Sequence, residues 1–330
     1  MQFDTTTTTS ADAQAARPRT ALSLTRVGVT GIEKILHVAE PGGEPQLYYA
    51  ELECYVDLEP RQAGVHMSRF EEVVGEAIDA VVLGEAFKAE VLAAHIAEQV
   101  RESQAGVRAE VTITARYPET VTTPESGRST QEIYTLFGTA VSSERGTRTL
   151  TGVQAQGMTA CPCAQGLVAD RARARLSEQG FDADEVDRIL DAVPVATHNQ
   201  RGIGTLYVGL PEGSPVDIDA RDLLRIVEGS MSSEIYELMK RSDELSVVER
   251  AHRRPRFVED CVREMVRQVI ERYDGLADDA FLHAHQENLE TIHRHNVVAE
   301  RTGLVSEIRG EIEAGEHSRR HTSRREWLEL

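Results

Sequence analysis

A chain of 330 residues, 40% of them hydrophobic, can bury one large core or two ordinary ones. Its formal net charge of −19 excludes a duplex nucleic-acid binder, which needs a basic face, and no apolar run reaches the roughly 18 residues of a bilayer span. Lysine occurs only at Lys34, Lys88 and Lys240, so arginine carries nearly all the positive charge, a pattern suited to a halophilic surface that stays hydrated in high salt.

Residues 1–20 form a Thr- and Ala-rich tract without the charged start and apolar stretch of a signal peptide, and are expected to be a disordered tail on a cytoplasmic protein. Residues 24–37 read as short β segments. Ala50, Leu52, Cys54, Val56 and Leu58 then alternate with Tyr49, Glu51, Glu53, Tyr55 and Asp57, which places one strand face in the core and the other in water. Ser68 and Glu71 match a capping box, and Phe70, Val74, Ala77, Ile78 and Val81 give the following helix its apolar stripe. Gly84 interrupts it, and Leu92, Ile96 and Val100 continue on a second helix. Val107, Ala109, Val111, Ile113 and Ala115 mark another half-buried strand, followed by a loop rich in Pro, Thr, Ser and Gly over 118–130 and a strand over 134–141.

The second half repeats this order. Residues 150–159 and 203–210 read as strands. Leu223, Leu224, Val227, Met231, Ile235 and Leu238 mark one long helix, and the apolar positions from Phe257 to Val269 mark another with Pro255 at its start. Residues 281–285 and 296–300 read as closing strands. A charged helical hairpin is inserted over 166–193, and 306–330 is a charged tail, expected as solvated helix or disorder. The expected fold class is therefore α+β: two ββααββ half-units, 21–145 and 146–305, with antiparallel sheets and helices on one face. Open sheet edges call for pairing, so closure into a barrel by oligomerisation is expected.

Two polar stretches stand out: Cys161-Pro162-Cys163 and Thr197-His198-Asn199-Gln200-Arg201-Gly202. A cysteine with a distant histidine is a common start for a metal or thiol site. The spacing is too long for a zinc knuckle, and a buried thiol beside a proline turn accounts for the first stretch equally well. Cys54 and Cys261 fall on apolar faces and read as core, and four cysteines are too few for a disulfide scaffold.

These stretches have company. The segments 64–70 (GVHMSRF), Cys161-Pro162-Cys163, 198–202 (HNQRG), 240–244 (KRSDE), 256–260 (RFVED) and 290–295 (ETIHRH) fall in the order found in type IB GTP cyclohydrolases. The chain resembles most closely the archaeal branch, which also carries an insert between the Cys and His motifs. The resemblance spans roughly residues 24–302. Two departures occur: Ser242 stands where the bacterial branch usually has Pro, and Ile203 follows Gly202 where a polar residue is usual.

The resemblance implies a tunnelling fold, GTP as substrate, metal-dependent opening of the guanine imidazole ring, and sites at the subunit interfaces of a homo-oligomer. By that resemblance Cys161, His198 and Glu244 are the metal ligands, leaving a fourth position open, as a catalytic site requires. The implied ion is Fe(II), with Zn(II) and Mn(II) compatible with the same mixed donors. Attack at C8 would release formate and lead to a 7,8-dihydroneopterin product, the 2',3'-cyclic phosphate in the archaeal branch and the triphosphate in the bacterial one.

Glu259 resembles the guanine anchor of the family, whereas on its own it reads as a solvated carboxylate near a helix start. His293 and His295, two apart and so on one face of a strand, are implied as proton shuttles or triphosphate contacts. Arg69, Arg201, Lys240 and Arg241 are candidates for phosphate binding, or ordinary surface charge. Cys163 reads as a second ligand, a redox partner or a packed thiol. Two other functions compete: a tunnelling-fold nitrile reductase of tRNA modification using a cysteine nucleophile, and a non-catalytic purine or pterin binder. Stoichiometric metal, a metal-free reactive thiol, or neither would separate the three.

The charge pattern generates a prediction of its own. The melting temperature should rise as KCl increases from about 0.1 M towards molar levels, because screening relieves repulsion among the surplus carboxylates. A flat or falling melting temperature over that range would refute a salt-adapted surface.

Overall fold

A computed structural model describes residues 14, 16–38, 46–80, 88–315, 317 and 320–329. Most of the expected tail at 1–20, and the expected Val81 and Gly84 of the first helix, lie outside the described residues. In chain order the elements are β1 (Leu24–Val38), β2 (Gln46–Leu58), α1 (Met67–Ala80), α2 (Ala89–Ser103), β3 (Arg108–Thr122), β4 (Ser129–Ser143) and β5 (Gly146–Ala160). They continue with α3 (Pro162–Glu178), α4 (Ala183–Ala192), β6 (Asn199–Leu210), α5 (Ala220–Ser230), β7 (Ser233–Glu234), α6 (Arg241–Arg253) and α7 (Val258–Arg272). The last are β8 (Phe281–Leu289), β9 (Val297–Leu304), α8 (Val305–Ala314) and α9 (Arg324–Glu329).

The strands hydrogen-bond in the order β1-β2-β3-β4-β5-β6-β8-β9, with β7 paired to β5. β1 with β2, β5 with β7, β6 with β8, and β8 with β9 are antiparallel. The chain separates into two compact units, residues 1–114 with 138–149, and residues 115–137 with 150–330. Their boundary runs through β3, β4 and β5 rather than between two consecutive halves of sequence.

In the first unit the alternation of β2 sets the core. Ala50, Leu52, Cys54, Val56 and Leu58 are buried, and so are Phe70, Val74 and Ala77 of α1 and Leu92, Ile96 and Val100 of α2. Burial pushes the Cys54 thiol up to about 12, so it is a neutral core side chain. β1 follows β2 through a bulge, where Gly31 takes φ +67 and the register shifts between Val29 and Ile32. α1 starts at Met67, one residue before the expected Ser68 cap, and Val107, expected inward, is exposed ahead of β3.

In the second unit α7 packs against α5, β8 and β9, burying Cys261, Met265 and Val269 beside Leu223 and Val227 of α5. The long helix expected through Leu238 stops at Ser230. Met231 turns extended (φ −87, ψ 178) and its sulfur fills a notch between Gly157 and Gly202, where a Cβ would stand 2.8 and 2.9 Å from it. The loop expected over 118–130 is shorter, because β3 continues to Thr122. α6 has no counterpart in the expected order. It is anchored by buried Asp243, which accepts from the backbone N–H groups of Glu125, Ser126 and Lys240 and from the Ser126 hydroxyl. Burial alone would raise the Asp243 pKa, but these donors outweigh it and hold the carboxyl below its usual range.

The insert forms two helices. α3 buries no side chain, and α4 is closed by a capping box in which Asp182 accepts from Glu185 N–H and Glu185 accepts from Asp182 N–H. Among the described residues no helix is long and apolar enough to cross a membrane.

The C-terminal segment departs from the expectation of solvated helix or disorder. Trp327 is fully buried, stacks on Phe281 at 5.5 Å, and donates its indole N–H to the Asp279 carbonyl at 2.7 Å. Gly209 makes room for it, since a Cβ there would stand 2.8 Å from the indole. A single tryptophan in a charged tail carries no periodicity, so only the packing exposes its role. Trp327→Ala should therefore destabilise the protein by about 3–5 kcal/mol in chemical denaturation, the range for emptying a buried aromatic site. A change below about 0.5 kcal/mol, ordinary for a surface residue, would mean that α9 does not pack there.

Candidate active site

The end of β5 is held on three sides. Ala160 N–H donates to the Ser232 hydroxyl at 3.1 Å, Ala160 carbonyl accepts from Arg256 N–H at 3.0 Å, and Cys161 N–H donates to the His198 carbonyl at 3.1 Å. Thr197 Oγ1 adds a 2.7 Å bond to the Cys161 carbonyl. Cys161 is also the N-cap of α3, where its sulfur accepts from Ala164 N–H at 3.4 Å, and Pro162 occupies the first helical turn, where a missing N–H is harmless. Gln165 spans from α3 to the carbonyls of Val195 and His252. The bases of the Cys and His motifs are thus tied together, although α3 and α4 separate them in sequence.

A cavity of about 420 Å³ opens beside this junction. Cys161, His198, Glu259, Glu290, His293 and His295 line it, with Gln200, Arg256 and Asn288 and an apolar wall of Phe257, Val258, Val297 and Val298. His198 Nδ1 stands 3.7 Å from Glu290 Oε2, and both side chains are nearly buried. Neither of these two atoms has a hydrogen-bond partner among the described residues. A buried imidazole nitrogen and a buried carboxylate oxygen left unpartnered are costly unless something else meets them.

His293 and His295 are brought together, but not on a strand. They lie in the bend joining β8 to β9, exposed, with their rings stacked at 5.2 Å. Glu259 sits in the first turn of α7, exposed, with its side chain on the cavity. Cys163 is exposed on the first turn of α3 and does not line the cavity. Burial pushes the Cys261 thiol up to about 12.

The other expected residues are placed elsewhere. Glu244 and Arg241 are exposed on the first turn of α6, and Lys240 is its N-cap. Arg201 is exposed on β6, and Arg69 lies on α1 with its guanidinium on the Ser103 carbonyl at 2.9 Å. None of the five lines the cavity. The expected set of Cys161, His198 and Glu244 is therefore not assembled within one chain. Among the described residues the ligand atoms of Cys161 and His198 do not meet a third Cys, His, Asp or Glu within 4.8 Å.

Sequence reasoning passed over Glu290, Arg256 and Asn288 as site residues. The signal was present for Glu290, three residues before His293 in the same motif, but a glutamate following a strand looks like any solvated carboxylate until its burial is known. A thiol, an imidazole with a free buried nitrogen and a buried carboxylate are the donors that a borderline divalent cation takes, so the residues present fit such an ion in their chemistry.

Comparison with known proteins identifies the architecture and then the family. Uricase from Arthrobacter globiformis superposes with a TM-score of 0.50 at 9% identity, over 90% of this chain and 96% of that one. Its hyper-thermostable mutant does so with the same TM-score at 10% identity, over 86% and 92%. At such identities the likeness concerns the fold alone, and the fold is the α+β tunnelling fold. Residues 11–299 match the family described as type I GTP cyclohydrolase folE2.

The chain belongs to the type I GTP cyclohydrolase family and is an enzyme of its MptA branch. It is 40% identical to GTP cyclohydrolase MptA of Methanococcus aeolicus over 307 residues, 91% of this chain and 99% of the relative. The corresponding protein of Haloferax volcanii is 40% identical over 92% of this chain and 98% of its own length, and that of Methanocaldococcus jannaschii 37% over 91% and 97%.

Proposed function

We propose that this enzyme acts on GTP in pterin biosynthesis, opening the guanine imidazole ring in a metal-dependent hydrolysis that releases C8 as formate. The observation that carries this reading is the pair of unpartnered buried atoms, His198 Nδ1 and Glu290 Oε2, beside the Cys161 thiol in one cavity with Glu259. Cys161 and His198 would hold the ion together with a carboxylate, and Fe(II) is the expected metal, with Zn(II) and Mn(II) as alternatives. When bound, such an ion supplies Lewis acidity and a water acidified towards neutral pH.

The side chains divide the remaining work. The Glu259 carboxylate accepts N–H donors from the purine edge and fixes the base against the apolar wall of Val258, Val297 and Val298. Excision of C8 breaks its bonds to N7 and N9, and each departing nitrogen needs a proton. His293 and His295 are exposed at the cavity, within reach of bulk water, and are suited to carry those protons. Glu290, whose Oε2 stands 3.7 Å from His198 Nδ1, is the carboxylate that the chain places beside the imidazole. The proposed product is the 7,8-dihydroneopterin 2',3'-cyclic phosphate, and mass spectrometry of the product formed from GTP distinguishes it from the triphosphate.

Assembly into a homo-oligomer completes the proposal. β1 and β9 end the strand order, and each exposes apolar side chains, Ile35 at 60% and Val298 at 62%. Sheet edges of this kind favour pairing with a second copy. A neighbouring copy would also bring Glu244, Arg201, Lys240 or Arg241 to a site from which they are absent in the single chain.

Cys161→Ala and His198→Ala should each abolish GTP turnover and strip the metal while leaving the fold intact, with Cys163→Ala milder. Full activity with full metal in either of the first two would overturn the ligand assignment. Glu259→Gln replaces an acceptor with a donor facing donors. It should keep normal metal content but lower kcat/KM by roughly thirty- to a thousand-fold, on the order of 2–4 kcal/mol. Near wild-type kcat/KM in that variant would remove Glu259 from purine recognition.

A further inference from the structure

Beyond the cavity of Cys161 and His198, a second cluster of ligand-type side chains lies at the C-terminal end of the chain. Glu311 on α8, together with His317 and His321, offers one carboxylate oxygen and two imidazole nitrogens within 4.8 Å of one another. His321 Nε2 is 3.5 Å from Glu311 Oε1, and the rings of His317 and His321 meet edge to face at 5.4 Å. None of the three lines the cavity that holds Cys161.

The frame behind the cluster is built. α8 ends at Gly315, in the left-handed conformation at φ +65 that commonly closes a helix. Glu307, one helical turn before Glu311, holds Thr322: it accepts from Thr322 Oγ1 at 2.6 Å and from Thr322 N–H at 3.0 Å, while also accepting Leu304 N–H at 3.1 Å. Thr322 is fully buried, which fixes His321 next to it. Arg301 binds one oxygen of Glu311, Oε2, through Nη2 at 3.1 Å and Nε at 3.3 Å. The other oxygen, Oε1, is the one turned towards His321.

We propose that Glu311, His317 and His321 form a second metal site, taking a divalent transition ion of the Zn(II) or Ni(II) class and clamping the C-terminal strap that carries Trp327 onto α8. Two imidazoles and one carboxylate suit such ions and leave a position for water. Mg(II) and Ca(II), which take oxygen ligands, are excluded by the same donors. The ligands are oriented as metal ligands usually are, with an outer hydrogen-bonding group, Arg301, holding the carboxylate. Because the site ties two segments that separate on unfolding, the bound ion stabilises the folded chain.

The test uses the full-length protein, stripped with chelator, reloaded with Zn(II) and desalted, with bound zinc counted by mass spectrometry of the element. His317→Ala/His321→Ala should hold one equivalent less than the parent, show a smaller zinc-dependent rise in melting temperature, and keep full GTP turnover when supplied with its catalytic metal. Equal zinc content and equal thermal shifts in parent and double variant would overturn the proposal, leaving an ion pair between His321 and Glu311. Glu311→Gln, which leaves both histidines in place, should reproduce the missing equivalent, and an unchanged count there would equally sink the site. Loss of zinc from the Cys161 cavity is separate, since Cys161→Ala should remove a different equivalent and turnover with it.

Discussion

One backbone hydrogen bond, from Cys161 N–H to the His198 carbonyl, ties the Cys and His motifs together at the edge of the cavity. β5 ends at Ala160 and β6 begins at Asn199, so Cys161 directly follows one strand and His198 directly precedes its neighbour. Pairing those strands brings a thiol and an imidazole to one end of the sheet whatever lies between them. The intervening helices leave by Pro162 and return by Thr197, whose hydroxyl closes the gap on the Cys161 carbonyl. Loop closure costs only about 0.6 kcal/mol for each doubling of loop length, so an insert of this size is tolerated once the strand ends are anchored. α3 accordingly buries nothing: its attachment is at its base, through Gln165 and the Cys161 cap.

The same logic, anchoring by buried polar side chains, recurs where the fold has to hold irregular chain. Asp243 gathers donors from the β3–β4 turn and the start of α6, and Glu307 gathers donors from the start of α8 and the returning C-terminal segment. In each case a buried carboxylate is tolerable because several N–H and O–H groups point at it, and removing them would leave an uncompensated charge. His198 and Glu290 differ in this respect, since one buried atom of each has no hydrogen-bond partner among the described residues. Asp243 and Glu307 are thus satisfied by donors of the chain, whereas Glu290 Oε2 is not, a distinction that spacing in the sequence cannot make.

Much was legible before any coordinates. Period-two alternation located β2 and β3 because a half-buried strand writes its two faces into alternate residues; Cys54 read as core for the same reason, and Cys261 from its place on a helical apolar stripe. The order of the motifs pointed to the tunnelling fold and to GTP cyclohydrolases, and the family match agrees. Where reading failed, it failed at points decided by non-local packing. Met231 looked like one more position on a helical stripe, but a notch made by Gly157 and Gly202 takes its side chain and ends α5. His293 and His295 share a face on paper as strand neighbours, and in the fold they stack in a bend instead.

What the sequence determined by itself was therefore the local and the repetitive: strand faces, helix stripes, the acidic surface, and the residue types offered for chemistry. Tertiary structure alone decided which of those residues meet. It placed Glu290 against His198 and left Glu244, Arg201, Lys240 and Arg241 exposed and outside the cavity lining. It also buried Trp327 against Phe281 and Gly209, residues far from it in the chain. The physical reason is that periodicity records only a residue's own exposure, whereas a site or a docked tail depends on distances between residues that no local pattern encodes.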